Sequence, residues 1–319
     1  MAIEFTDQTT ADEVGTALTN EIRGKTVLIT GATVGGLGAE AAMVLAKHQA
    51  KLIILACRRV EAVFETINKI KQEVPDANLR PLILDLASLA SVRDAAKRVN
   101  EYAEPIDVLI NNAGVMAPPY FLTEDGFEGQ LATNHLGPFA FTNLIMPRIL
   151  ASLTGSPRIV NVSSTVHWLS PIRYDDPGFQ EGKTYNNFIA YGQSKTANIL
   201  FSKELSRRYK DQGLLAFSLH PGGIQTNLLR HFDIAKVLQE GVKDYKGNSF
   251  DLTAIKWKSI QVGTATHLVA AFDPSIADQN GSFLEDAQVH NELARPDALD
   301  PQNAKRLWEL SELLLAGKI

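Results

Sequence analysis

Short, nearly unbroken aliphatic runs alternate along the chain with longer mixed segments, from residue 25 to about residue 220. The runs occupy residues 25–30, 52–56, 81–84, 107–110, 158–162 and 215–219. Because they are apolar throughout rather than at every second position, they predict strands covered on both faces. The segments between them have helical spacing. After Gly38, residues Ala41, Val44, Leu45 and His48 fall at i, i+3, i+4 and i+7, on one helix face. Strand–helix–strand repetition predicts an α/β fold: a doubly wound parallel sheet with right-handed crossovers and helices on both faces. No repeat or linker interrupts it, so residues 24–319 are expected to form one domain, with 1–23 as an N-terminal extension. Residues 165–190, with Pro171, Pro177, Gly178 and Gly182, read as a long irregular loop of the kind that often carries function.

Composition narrows the function classes. The 319 residues are 45% hydrophobic and 21% charged, with a net charge of −5 and no basic run longer than two, which speaks against nucleic acid. One cysteine, Cys57, excludes an intramolecular disulfide and a thiolate metal cage. The acidic first segment is read as neither a secretory signal nor a membrane anchor, and the apolar runs are of strand length. These features predict a soluble, cytoplasmic protein without a metal.

Four local patterns carry chemistry. Thr30-Gly31-Ala32-Thr33-Val34-Gly35-Gly36-Leu37-Gly38 joins the first strand to the first helix, where glycines admit a pyrophosphate to backbone N–H groups. A plain glycine-rich turn is the bland alternative. Arg58, after the second strand, stands where an acidic residue would select NAD, and its guanidinium suits the 2′-phosphate of NADP. The alternative is that Arg58 and Arg59 are solvated. Tyr191 and Lys195 stand four apart, on one face of a helix, so that the cation can favour the phenolate. Ser163 and Ser164 end the fifth strand, at the sheet edge where α/β folds bind ligands, although both could simply cap the next segment.

The ordered set Thr30-Gly31, Gly36-Leu37-Gly38, Asp85-Leu86, Asn111-Asn112-Ala113-Gly114, Asn134, Ser163-Ser164, Tyr191, Lys195 and Pro221-Gly222 resembles the short-chain dehydrogenase/reductase family over about residues 24–226. Local wording such as Ala56-Cys57-Arg58, Asn134-His135-Leu136-Gly137 and His220-Pro221-Gly222 is most similar to its retinol-dehydrogenase and WW-domain-oxidoreductase branch. The resemblance implies a Rossmann-like fold and an NADP(H)-dependent oxidoreductase interconverting an alcohol and a ketone or aldehyde, with a small to medium apolar substrate. It implies that Tyr191 is the general acid/base, that Lys195 tunes it and binds the nicotinamide ribose, that Ser164 orients the substrate oxygen, and that Asn134 holds a relay water. It also implies a cofactor cleft lined by Gly31, Thr33, Gly36, Leu37, Arg58, Asp85, Leu86, Asn112, Ala113, Gly114, Tyr191, Lys195, Pro221, Gly222, Ile224 and Thr226. Family members often pair through helices flanking the sheet, which implies a homodimer or homotetramer.

Two departures qualify the match. One residue is inserted in the glycine turn, leaving open whether Gly35 or Gly36 meets the pyrophosphate. The stretch from Ser164 to Tyr191 is also long, and its His167, Trp168, Tyr174 and Phe179 are expected to border the substrate. His167 is read as a wall or surface group, and His220 as satisfying a backbone carbonyl. Residues 227–260 are expected to form a lid over an apolar pocket. A hydrolase is disfavoured because no Gly-x-Ser-x-Gly elbow occurs. A cofactor-binding scaffold with little turnover is the remaining alternative, and retention of Asn134, Ser164, Tyr191 and Lys195 argues for the enzyme.

Overall fold

The computed structural model describes residues 4–152, 155–231, 241–249 and 255–319. Thr10 opens the first helix, α1 (Ala11–Ala17), with a capping box to Glu13, and one further turn follows as α2 (Thr19–Ile22). Then come β1 (Thr26–Thr30), α3 (Leu37–Lys47), β2 (Leu52–Cys57), α4 (Val60–Glu73), β3 (Leu79–Ile83), α5 (Leu89–Asn100) and β4 (Val108–Asn111). A short turn α6 (Gly129–Leu131) leads through a π-turn, Ala132–Leu136, into α7 (Gly137–Leu150), and β5 (Arg158–Val162) follows. The long helix α8 (Asn187–Arg208), β6 (Leu215–Leu219), β7 (Gly223–Ile224) and β8 (Trp257–Lys258) come next. The chain ends with α9 (Ile260–Phe272), β9 (Phe283–Glu285), β10 (Gln288–Val289) and α10 (Pro301–Leu315).

The main sheet runs β3-β2-β1-β4-β5-β6-β9-β10, parallel except for the edge strand β10. All six predicted strands are present within two residues of their expected ends. Every residue of β1, β2, β4 and β5 is buried, as expected of strands covered on both faces. One core joins α1, α3, α4 and α9 to one face of the sheet, and a second joins α5, α7, α8 and α10 to the other. The order reverses between β1 and β4, so the helices after these strands go to opposite faces of the sheet and a crevice opens at the carboxyl edge.

The N-terminal segment from Phe5 to Ile22 is part of this packing. Phe5, Val14, Leu18 and Ile22 are buried in the core under α3 and α9. Gly15 permits the close approach, because a Cβ there would lie 2.5 Å from Val44 Cγ1. The loop expected at 165–190 is irregular apart from the 3-10 turns Thr165–Leu169 and Gln180–Gly182, and it ends where Asn186 caps α8. Part of the expected lid, residues 232–240 and 250–254, lies outside the described residues.

Candidate active site

The glycine turn closes tightly against the loop after β4. Gly31 takes φ +71°, and a Cβ there would lie 2.7 Å from Ala113 Cα. At Gly38 a Cβ would lie 2.7 Å from Asn112 Nδ2, which itself donates to the Thr30 carbonyl at 3.0 Å. Thr30 completes the joint, its hydroxyl accepting from the N–H groups of Asn112 and Ala113 at 3.1 Å each. The inserted residue is absorbed by Gly35, which bulges at φ +77° into open space. Gly36 therefore becomes the N-cap of α3 and faces the crevice, but it has no side chain to cap the first-turn N–H groups. That arrangement fits a pyrophosphate, which supplies the missing acceptors.

A cavity of about 710 Å³ runs from this cradle across the carboxyl edge of the sheet. Of the residues implied for the site, all but Asn134 line it, from Gly31 and Arg58 at one end to Ser164, Tyr191, Lys195 and Thr226 at the other. Arg58 is exposed at the end of β2, while Cys57 beside it turns inward, bonds to the Ala32 carbonyl, and has its thiol pushed up to about 11 by burial.

Asn134 stands one shell back, 1% exposed. Its amide donates to the Val115 carbonyl and the Ser194 hydroxyl at 2.9 Å each, and its Oδ1 accepts from Val115 N–H at 2.8 Å. Ser194 in turn donates to the Tyr191 carbonyl at 2.7 Å. The side chain thus ties the π-turn to α8 and to the cavity loop. Pro138, four residues on, has no N–H, so the Asn134 carbonyl lacks its α-helical donor. π-turns of this kind concentrate at functional sites.

Tyr191 and Lys195 lie on one face of α8, with Lys195 Nζ 5.5 Å from the Tyr191 ring centre. The two serines divide their roles. Ser163 Oγ donates to the Lys195 carbonyl at 2.8 Å, whereas Ser164 Oγ accepts from Val166 N–H at 3.2 Å, as a cap of the next turn, and lines the cavity with Tyr191. The expected depression of the phenol does not arise in the chain alone. Burial raises the Tyr191 pKa, opposed by the Ser164 hydroxyl, and burial pulls the Lys195 ammonium down to about 7. Tyr191 lies in an apolar wall, Lys195 is 3% exposed, and Lys195 Nζ donates to the Val162 carbonyl at 2.9 Å, not to the phenol.

The histidines are structural in different ways. His167 is fully buried, Nδ1 bonding to the Ser164 carbonyl at 2.6 Å and Nε2 accepting from Arg295 N–H at 3.1 Å. Burial holds its pKa down to about 4, so it stays neutral and buttresses Ser164. His220 does not bond a carbonyl as expected: its Nδ1 is buried without a hydrogen-bond partner among the described residues. It lines the cavity with Asp7, Lys258, Glu285 and Asp286, none of which the sequence patterns singled out. Among the described residues no cluster of three or more His, Cys, Asp or Glu side chains is arranged to hold a metal, and no helix is long and apolar enough to cross a membrane.

A switch-point crevice, a glycine cradle and a Tyr–Lys pair beside a serine define a Rossmann-type oxidoreductase. The chain belongs to the short-chain dehydrogenase/reductase family. The family model described as short chain dehydrogenase matches residues 25–174. Human retinol dehydrogenase 13 is 39% identical over 92% of this chain and 85% of its own length. The chloroplastic short-chain dehydrogenase TIC 32 A of Brassica napus is 39% identical over 90% of this chain and 87% of its own. A crystal structure from Mycobacterium paratuberculosis is 34% identical, with a TM-score of 0.68, over 92% of this chain and 94% of that one. The likeness places the chain near the retinol-dehydrogenase branch.

Proposed function

We propose that the chain binds NADP(H) and interconverts an alcohol and a ketone or aldehyde, with Tyr191 exchanging the proton. The convergence of the Tyr191 and Ser164 hydroxyls in one cavity with the glycine cradle carries this reading. Gly31, Gly36 and Leu37 would hold the pyrophosphate, Asp85 and Leu86 the adenine, and Pro221 to Thr226 the nicotinamide end. A bound nicotinamide supplies or takes the hydride. Ser164 donates to the substrate oxygen and orients it, and Tyr191 gives that oxygen a proton in reduction or takes it in oxidation. Lys195 sits where a ribose hydroxyl would replace part of its lost hydration, and the Asn134 carbonyl, which Pro138 gives no N–H, would receive a relay water. Met116, Val166, Leu228, Leu229 and Ile255 line the cavity, several packing with Tyr191, which suits a small to medium apolar carbonyl compound.

Fluorescence titration of the purified protein with NADPH and NADH tests the reading, followed by a carbonyl screen with the tighter cofactor. Arg58→Ala is expected to weaken NADPH by roughly 10- to 100-fold, the worth of a charge-assisted contact, and to leave NADH unchanged. A wild type that prefers NADH would refute the role given to Arg58.

Cofactor affinity should also fall as pH rises. Lys195 loses its cation above about 7, and Glu285, whose pKa burial and Asp286 raise to about 7, gains its anion over the same window. An anionic dinucleotide favours the protonated form of both groups, so NADPH should bind up to about tenfold more tightly at pH 6 than at pH 8.5. A flat or inverted titration series would contradict that assignment.

A further inference from the structure

Lys258 belongs to none of the cofactor motifs, yet it lines the cavity beside the Pro221-Gly222 turn. The parallel pairing of β7 with β8 sets Ile224 opposite Lys258 and holds the lysine on the turn. Its stem lies over Gly222, where a Cβ would sit 2.9 Å from Lys258 Cδ and where φ is +96°. The ammonium is held by the Asp286 carboxylate and donates to the Asp7 carbonyl at 3.3 Å. With the side chain only 14% exposed, the charge sits in the cavity wall and not in bulk water.

Its partner is delivered by unusual backbone. Asp286 and Ala287 form the two-residue turn between β9 and β10, both left-handed, at φ 53° and 59°. Such turns favour glycine at the second position, and this one carries alanine. The turn brings Glu285 and Asp286 together onto the wall of a cavity that must admit a polyanion. An ammonium has three donors and no acceptor, and its flexible stem can pivot while remaining packed.

We propose that Lys258 is a ligand of the dinucleotide pyrophosphate, parked on Asp286 in the free protein and transferred to a phosphate oxygen on binding. The proposal rests on the reading of the cavity as a dinucleotide cleft. Asp286 then competes with the cofactor for one cation, so the two members of the ion pair act on affinity with opposite signs. A pair that only braced the fold would give the same sign from either side.

The test titrates the full-length protein, Lys258→Met, Asp286→Asn, the double variant and Lys258→Arg with NADPH and with NADH, alongside thermal melts. Lys258→Met is expected to weaken both cofactors about tenfold and by equal factors, because the pyrophosphate is common to them. Asp286→Asn should tighten both about threefold, an effect that disappears in the double variant, and Lys258→Arg should hold the wild-type affinity within about threefold. Loss of affinity in both single variants, or no change in Lys258→Met, would overturn the proposal. An effect confined to NADPH would overturn the pyrophosphate assignment in favour of the 2′-phosphate. If the wild type bound neither dinucleotide, the functional reading itself would fall and this proposal with it; if it bound both and only Lys258→Met were silent, Lys258 alone would be misassigned.

Discussion

Tyr191→Phe is expected to lower kcat by roughly 10²- to 10⁴-fold, the span that a positioned proton donor contributes. The ring itself is a packing element, 2% exposed in a cluster with Met116, Ala117, Leu169 and Phe188, and phenylalanine keeps that contact. Only the hydroxyl is lost, and with it the proton donor that lines the cavity with Ser164. Cofactor affinity should therefore stay within about threefold of wild type, and the melting temperature should hardly move. Single-turnover reduction at the wild-type rate would show that another group supplies the proton. Retained binding without turnover would separate the enzyme from a cofactor-holding scaffold, because the scaffold reading predicts little turnover in the wild type as well.

Much of this site was legible in the chain because it is built from local patterns at predictable places on the fold. The carboxyl ends of β1, β2, β4, β5 and β6 supply Gly31, Arg58, Asn112, Ser164 and Pro221, and a strand's end can be read from its aliphatic run. The choice of Ser164 over Ser163 rested on resemblance alone. The geometry gives it a physical reason, since Ser163 is turned to the Lys195 carbonyl.

What the sequence withheld depends on long-range packing. Lys258 meets Gly222, Asp286 and Asp7 only after a three-residue strand and a strained hairpin have formed, and Phe283–Glu285 is too short to show a period. The burial of α1 shows the same limit, because Gly15 looks unremarkable until Val44 lies against it. The shift of the Tyr191 phenol was misjudged for a related reason. Spacing on a helix shows that Lys195 is near, but not that burial outweighs it or that its ammonium donates to the Val162 carbonyl. Asn134 is a single residue in the sequence, and only folding shows that its amide is engaged with Val115 and Ser194 and that it sits in a π-turn four residues before Pro138.

The glycine turn offers the second large effect and a test of what the inserted residue does. Gly31→Ala is expected to cost about 2–5 kcal/mol, combining a left-handed backbone with the overpacking of a Cβ against the Ala113 backbone. Ala113 cannot retreat easily, because its N–H is held by Thr30 and its loop carries the cavity wall. The same displacement moves the turn to which the pyrophosphate is assigned, so NADPH affinity is expected to fall by more than about tenfold. Gly35→Ala is the control. Its φ is also positive, but its Cβ would meet nothing within 4 Å, and it does not line the cavity. It should cost only the backbone share, about 1–2 kcal/mol, and leave NADPH affinity within about threefold. Denaturant unfolding and cofactor titration of the two variants decide the matter. Equal losses of affinity would mean that Gly35 meets the pyrophosphate after all, and that the bulge assigned to it belongs to the free protein only.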